Sequence, residues 1–247
     1  MASPFSQNSS SAALSAASPV DAVLFDYGQV LSLPPEPAAW TRMLSITGLD
    51  ETRLHAAYWA FRHDYDRGAL TGRAYWQAVA VKTGIALTNT QIAELFAADV
   101  DMWTSLNQPM VDWAARLQHA GVRTGILSNI GDAIADGIIA RLPWLSGFYR
   151  SLWSHSLFMA KPEPAIYLKA AEALDTPPAN ILFIDDRDDN IVAAAALGFQ
   201  TIHFTTYAAF EREMLDRGLA SLLHIGLTPQ DSAAPTISAS KPQPAIK

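Results

Sequence analysis

Short apolar runs alternate along this chain with segments of helical periodicity, and the alternation restricts the fold more than any other feature. The runs are about Ala22–Phe25, Arg123–Leu127, Ile181–Ile184 and Gln200–Phe204, with a shorter one near Ser151–Ser154. Ile181–Ile184 is apolar throughout, as strands are when both faces of a sheet are covered. Helices fall between the runs. One is started by Pro109 and capped by Gly121, one spans Pro164–Ala173, and one runs from about Asn190 to Gly198. Strands alternating with helices predict an α/β fold, a doubly wound, Rossmann-like parallel sheet that binds its ligand at the strand C-termini.

One long stretch breaks the alternation. Residues 34–107 carry no strand pattern, and their periodicity predicts helices over Pro37–Thr47, Glu51–Asp64, Gly72–Thr83 and Thr90–Trp103. The expected organisation is an α/β core built from 20–33 and 108–226, interrupted by a small helical cap at 34–107. An insertion directly after the first strand would sit over the strand ends, as a lid does. With 247 residues, half of them hydrophobic, the chain is long enough for one sizeable core plus such a module. Residues 1–19, rich in Ser and Ala, lack the basic and densely apolar regions of a signal peptide, and 227–247 are rich in Pro, Ala and Ser. Both are expected to be unstructured. A formal net charge of -7 argues against nucleic-acid binding, which needs a basic stripe. The absence of cysteine excludes disulfides, thiolate metal sites and a cysteine nucleophile. No apolar run approaches the roughly 18 residues that span a bilayer, so no membrane partner is expected, and the cytoplasm is the expected compartment. Oligomeric state is left open.

The strand ends carry the chemistry. Asp26 ends the first run and is followed by Tyr27-Gly28, so a carboxylate is presented at the sheet edge as a candidate nucleophile. Ser128-Asn129 follow the second run and offer a hydroxyl and an amide to the same crevice. Lys161 precedes a helix and offers an ammonium that neutralises charge on a nucleophile and on a phosphoryl group. Asp185-Asp186 end the fourth strand, with Asn190 at the start of the next helix. Paired carboxylates beside a third repel unless a cation lies among them, and hard oxygen donors favour Mg2+. In-line phosphoryl transfer needs these parts and little else.

The chain resembles the haloacid dehalogenase superfamily through these segments: Phe25-Asp26-Tyr27-Gly28-Gln29-Val30-Leu31, Leu127-Ser128-Asn129, Lys161-Pro162, and Ile184-Asp185-Asp186 through Asn190. The resemblance covers about Val20 to Leu222. It is closest to the branch of bacterial glucose-1-phosphatase and the N-terminal phosphatase domain of soluble epoxide hydrolase. It implies a Mg2+-dependent phosphatase for a small phosphorylated substrate. Asp26 would be the nucleophile, oriented by Lys161, and Ser128 and Asn129 would bind the phosphoryl oxygens. Asp26, the Gly28 carbonyl and Asp186 would ligate the metal, with Asp185 and Asn190 supporting its shell.

At one position the chain departs from the family pattern. Most of these phosphatases carry a second Asp, an acid and base, two residues after the nucleophile, where this chain has Gly28. Loss of such a group typically costs about 10²–10⁴-fold. Three explanations stand: a substrate with a good leaving group, a substitute such as Asp132 or a cap residue, or a weakly active or non-catalytic scaffold. The family's metal-independent dehalogenases are the enzymatic alternative, but the acidic run Asp185-Asp186-Arg187-Asp188-Asp189 favours a metal and repels a carboxylate substrate. In the cap, Tyr58, Arg62 and Tyr65 share one helical face. Arg62 is the candidate for binding a distal anionic group of the substrate. Tyr58, Trp59, Tyr75 and Trp76 are read as cap core, and His63 as a surface or partly buried histidine.

Overall fold

The computed structural model describes residues 19–227. The expected lead and tail, 1–19 and 227–247, lie outside the described residues apart from 19 and 227 themselves. Five strands form one parallel sheet: β1 (Ala22–Phe25), β2 (Arg123–Ser128), β3 (Arg150–Trp153), β4 (Ile181–Asp185) and β5 (Gln200–His203), in the order β3-β2-β1-β4-β5. Connections leave β1 towards β2 on one side and β4 lies on the other, so the strand order switches at the β1–β4 pair. A crevice opens at the C-terminal ends of strands at such a point. Every strand lies within a residue or two of its expected position; β3 starts one residue early, and Ser154 opens the following helix.

The helices are α1 (Pro37–Thr47), α2 (Glu51–Ala60), α3 (Arg62–Asp66), α4 (Gly72–Thr83), α5 (Asn89–Asp101), α6 (Gln108–His119), α7 (Asp132–Arg141), α8 (Ser154–Leu157), α9 (Pro164–Ala173), α10 (Asp188–Ala196), α11 (Tyr207–Asp216) and α12 (Ala220–Leu223). Side chains of β1 alternate between two cores. Ala22 and Leu24 pack with Ile166 and Tyr167 of α9. Val23 and Phe25 join the other core, where the Phe25 ring meets Trp113 of α6 edge-on at 5.5 Å. Each such buried side chain contributes about 1.5–3 kcal/mol. Among the described residues, no helix is long and apolar enough to cross a membrane.

The five helices α1–α5 occupy the interrupted stretch. They enter and leave through a narrow neck in which Leu33 N–H donates to Ser105 O (2.7 Å) and Asn107 N–H to Leu31 O (2.9 Å). The single helix expected over Glu51–Asp64 is two, because Phe61 leaves the helical region (φ -119, ψ 2). Beyond this break Arg62 and Tyr65 are both buried. The same apolar cluster runs from Val23 and Phe25 into Met43, Leu54 and Tyr58, so the helical segment shares its core with the sheet.

Gly68 lies where the chain after α3 meets α8. Its φ is +86, and a Cβ there would lie 2.3 Å from the His155 carbonyl oxygen. Gly68→Ala adds a left-handed penalty of about 1–2 kcal/mol to overpacking of about 1–3 kcal/mol. The expected destabilisation of about 2–5 kcal/mol is read from the midpoint of urea unfolding.

Candidate active site

A cavity of about 510 Å³ lies between the strand ends and the helical segment. Asp26 forms its floor at the end of β1, where its N–H continues the sheet to Ile184 O (2.8 Å) and its Oδ1 accepts from Tyr27 N–H (2.7 Å). The turn that follows takes its left-handed residue at Gln29 (φ 56), while Gly28 is extended (φ -64, ψ 130). Turn geometry therefore does not require glycine at 28. Gln29 donates through Nε2 to Asp186 Oδ2 (2.6 Å), a link that nothing in the sequence pattern announces.

Lys161 is buried among carboxylates. Its Nζ lies 3.0 Å from Asp26 Oδ1 and 2.6 Å from Asp185 Oδ2. Asn129 fixes it in place: Asn129 Nδ2 donates to Lys161 O and Lys161 N–H donates to Asn129 Oδ1, both at 2.8 Å. Asn129 thus spends much of its amide on positioning Lys161, in addition to any contact with a ligand. Ser128, the last residue of β2, is buried and lines the cavity. Asp185 is fully buried and saturated, accepting from Lys161, from Arg187 N–H (2.8 Å) and from Asn190 Nδ2 (2.9 Å). Asp26, Asp185 and Asp186 each offer an oxygen within 4.8 Å of the others, so among the described residues they form a group that could hold a cation. Asn190 Oδ1 is buried without a hydrogen-bond partner beside them. The fold brings all of the strand-end residues singled out from the sequence to this floor.

The cap wall differs from expectation. Tyr58, Tyr75 and Trp76 are buried as expected, but Trp59 is 51% exposed and lines the cavity, since its helical neighbour Tyr58 already takes the inward face. His63 is exposed at the same wall. Arg62 also lines it, but its guanidinium is enclosed. Nε pairs with Asp66 Oδ1 (2.8 Å), Nη1 lies 3.4 Å from Asp99 Oδ1 and bonds Tyr58 Oη, and the group stacks over the Tyr58 and Tyr65 rings. The expectation of a distal anion on Arg62 does not fit this pairing. Sequence reasoning missed Asp66, although its i,i+4 spacing from Arg62 was a usable signal. It had no local signal for Asp99, 37 residues beyond Arg62. Asp132 is a poor substitute acid, because its Oδ1 accepts from Gly72 N–H (2.9 Å) and Ala133 N–H (2.6 Å), and it does not line the cavity.

Electrostatics follow from burial. Burial raises the Asp26 carboxyl from the ordinary 3.8 to about 7; Lys161 opposes the rise, and Asp185 and Asp186 add to it. Burial alone would pull the Lys161 ammonium down, but Asp185 and Asp26 reverse this and hold it above its ordinary range. Asp66 is likewise pushed up to about 7 by burial, against the pull of Arg62. A carboxyl raised in this way keeps its proton in the fold but not in the unfolded chain across about pH 4–7, so it subtracts stability as pH rises through that window. Lys161→Met would leave two buried carboxylates without a counter-charge, at a cost of about 3–5 kcal/mol. The metal-free variant should show that deficit at about pH 8. By about pH 5, where Asp26 holds its proton, the deficit should be smaller. Urea unfolding at the two pH values checks both.

The family model of haloacid dehalogenase-like hydrolases matches residues 20–198. Bifunctional epoxide hydrolase 2 of Rattus norvegicus is 32% identical over 130 residues, which are 51% of this chain and 23% of that protein. The chain therefore aligns with less than a quarter of that relative's length. A HAD family enzyme from Bacteroides thetaiotaomicron has the same fold, with a TM-score of 0.67 at 19% identity over 79% of this chain and 100% of its own. That enzyme has also been solved in complex with magnesium and inorganic phosphate (TM-score 0.61). L-2-haloacid dehalogenase from Xanthobacter autotrophicus is similar at a TM-score of 0.57 and 18% identity, over 83% of this chain and 86% of its own. The parallel sheet, the strand-end carboxylates and lysine, and the match over most of the chain agree: this chain belongs to the haloacid dehalogenase-like hydrolase family.

Proposed function

We propose that this hydrolase is a Mg2+-dependent phosphatase of small phosphomonoesters, sugar phosphates among them, acting through a phosphoaspartate on Asp26 in the cytoplasm. The observation that carries the reading is the grouping of Asp26, Asp185 and Asp186 around a single ammonium, Lys161. Three carboxylates against one ammonium leave an excess of negative charge in a buried place, and a hard divalent cation cancels it. The leftover acceptor Asn190 Oδ1 fits the same need. In this reading Asp26, Asp186 and the Gly28 carbonyl hold Mg2+, and Asp185 and Asn190 support it. When bound, Mg2+ neutralises charge between the carboxylates and the phosphoryl oxygens.

The residues then divide the work. An Asp26 oxygen attacks phosphorus, the phosphorus–oxygen bond of the ester breaks, and the leaving oxygen departs with the electron pair and picks up a proton. Water attacks the phosphorus of the resulting acyl phosphate, frees phosphate and restores Asp26. Ser128 holds phosphoryl oxygens, Asn129 keeps Lys161 in place and offers its remaining amide hydrogen, and Lys161 orients Asp26 and favours its ionised form against the effect of burial. A 2-haloacid would bring its own carboxylate beside Asp186 and Asp189, which argues against the dehalogenase alternative. The test is phosphate release from acetyl phosphate, p-nitrophenyl phosphate and glucose phosphates, with Mg2+ and with EDTA. Release that needs Mg2+ is the expected result. Halide release from a 2-haloacid without metal, and no phosphate release, would replace this reading with the dehalogenase one.

A further inference from the structure

We infer that Asp66 and Asp99 set the charge class of the leaving group: the site takes phosphomonoesters whose leaving group is uncharged and rejects those carrying a second anion. The inference rests on the phosphatase reading and deepens it. Among the described residues, three guanidinium or ammonium groups line the cavity, and each is already engaged. Lys161 lies between Asp26 and Asp185, Arg187 pairs with Asp189 (2.6 Å), and Arg62 lies between Asp66 and Asp99. The last arrangement decides the matter. Two buried carboxylates against one buried guanidinium give the cap wall a formal charge of one minus once Asp66 is ionised, above about pH 7, and Asp66 itself lines the cavity. An anion on the distal part of a substrate would meet Asp66 at short range in a poorly solvated place, where like charges are costly. What this wall does offer is the half-exposed Trp59 ring, whose face packs on a neutral ring or hydroxylated carbon skeleton.

The sharpest comparison is phenyl phosphate against para-carboxyphenyl phosphate, assayed with Mg2+ at about pH 8.5, where Asp66 is ionised. The carboxylate adds three heavy atoms, a difference in size that the Asp66→Asn comparison and the salt dependence control for, and it makes the phenol a better leaving group, so leaving-group chemistry favours the charged ester. The inference predicts the opposite order, with kcat/KM at least about tenfold lower for the charged ester. The difference should lie mainly in KM and should narrow as salt is raised. Asp66→Asn, which leaves Arg62 with one carboxylate, should move the ratio by about tenfold towards the charged ester, and Asp66→Glu should restore the preference. If Asp66→Asn does not fold, the wild-type ratio and its salt dependence still decide. Equal or better turnover of the charged ester by the wild type overturns the inference and leaves the phosphatase reading standing, as does an unchanged ratio in folded Asp66→Asn. If neither ester is hydrolysed while acetyl phosphate or p-nitrophenyl phosphate is, this inference fails and the phosphatase reading stands; if those two are untouched as well, both fail.

Discussion

Asp26→Asn is expected to lower kcat for phosphate release by at least about 10⁴-fold, the scale on which removal of a covalent nucleophile acts. The same change should leave the melting temperature of the metal-free protein unchanged or higher. Activity and stability separate because they draw on opposite properties of one group. The reaction needs a carboxylate, yet burial opposes the charged form so strongly that the carboxyl is raised to about 7. An amide of the same shape removes that opposition while Asp185 still answers Lys161 at 2.6 Å. Strain of this kind, stability given up where chemistry is done, is common at active sites. A variant that loses activity and also unfolds would point instead to a structural role for Asp26. Residual turnover near the wild-type rate would remove it from the chemistry.

Gly28→Asp should produce a gain. A Cβ at this position meets only the Trp103 ring, at 3.6 Å, an ordinary van der Waals contact, and the backbone there is extended with a negative φ. The Cβ of an aspartate can therefore be added without backbone strain or a close contact. It would stand two residues after the nucleophile, within reach of the leaving oxygen. For esters with poor leaving groups, where protonation limits the first step, kcat/KM is expected to rise by about 10²–10⁴-fold, the usual worth of a general acid. For acetyl phosphate, whose leaving group needs no proton, the change should stay within about tenfold. No gain with any ester would mean that another group already donates the proton. His63 and Asp66, the titratable side chains of the cap wall, would be examined next. The backbone does not require glycine at 28 and a Cβ fits there, so the fold alone does not account for Gly28.

The legible and illegible parts of this protein divide along a physical line. The sheet was legible because buried parallel strands must be apolar and short, and polar residues at their C-terminal ends stand out against them. Asp26, Ser128, Asn129, Asp185 and Asp186 were singled out in that way, Lys161 and Asn190 by their places before and at the start of a helix, and all meet at one floor. Helix α7 escaped notice because Gly137 interrupts its pattern; the glycine is there since a Cβ would lie 2.3 Å from Val100. The division of α2 from α3 at Phe61 left no mark that periodicity reads. The cap wall was the least legible region. Arg62 looked like a free cation because the carboxylate that neutralises it from behind, Asp99, comes from another helix. Trp59 was assigned to the core because hydrophobicity does not tell which aromatic of an adjacent pair turns outwards. Contacts made across long stretches of chain shape the cap wall, and local pattern does not record them.

The central claim, that phosphoryl transfer passes through Asp26, is tested most directly by trapping. The Mg2+-loaded protein is mixed with acetyl phosphate or p-nitrophenyl phosphate, quenched in acid during turnover, digested and mapped by mass spectrometry. The account predicts one phosphoryl group on the peptide that contains Asp26, present during turnover, gone when substrate is exhausted, and absent from Asp26→Asn. Steady phosphate release with that peptide unmodified throughout, and undiminished in Asp26→Asn, would contradict it.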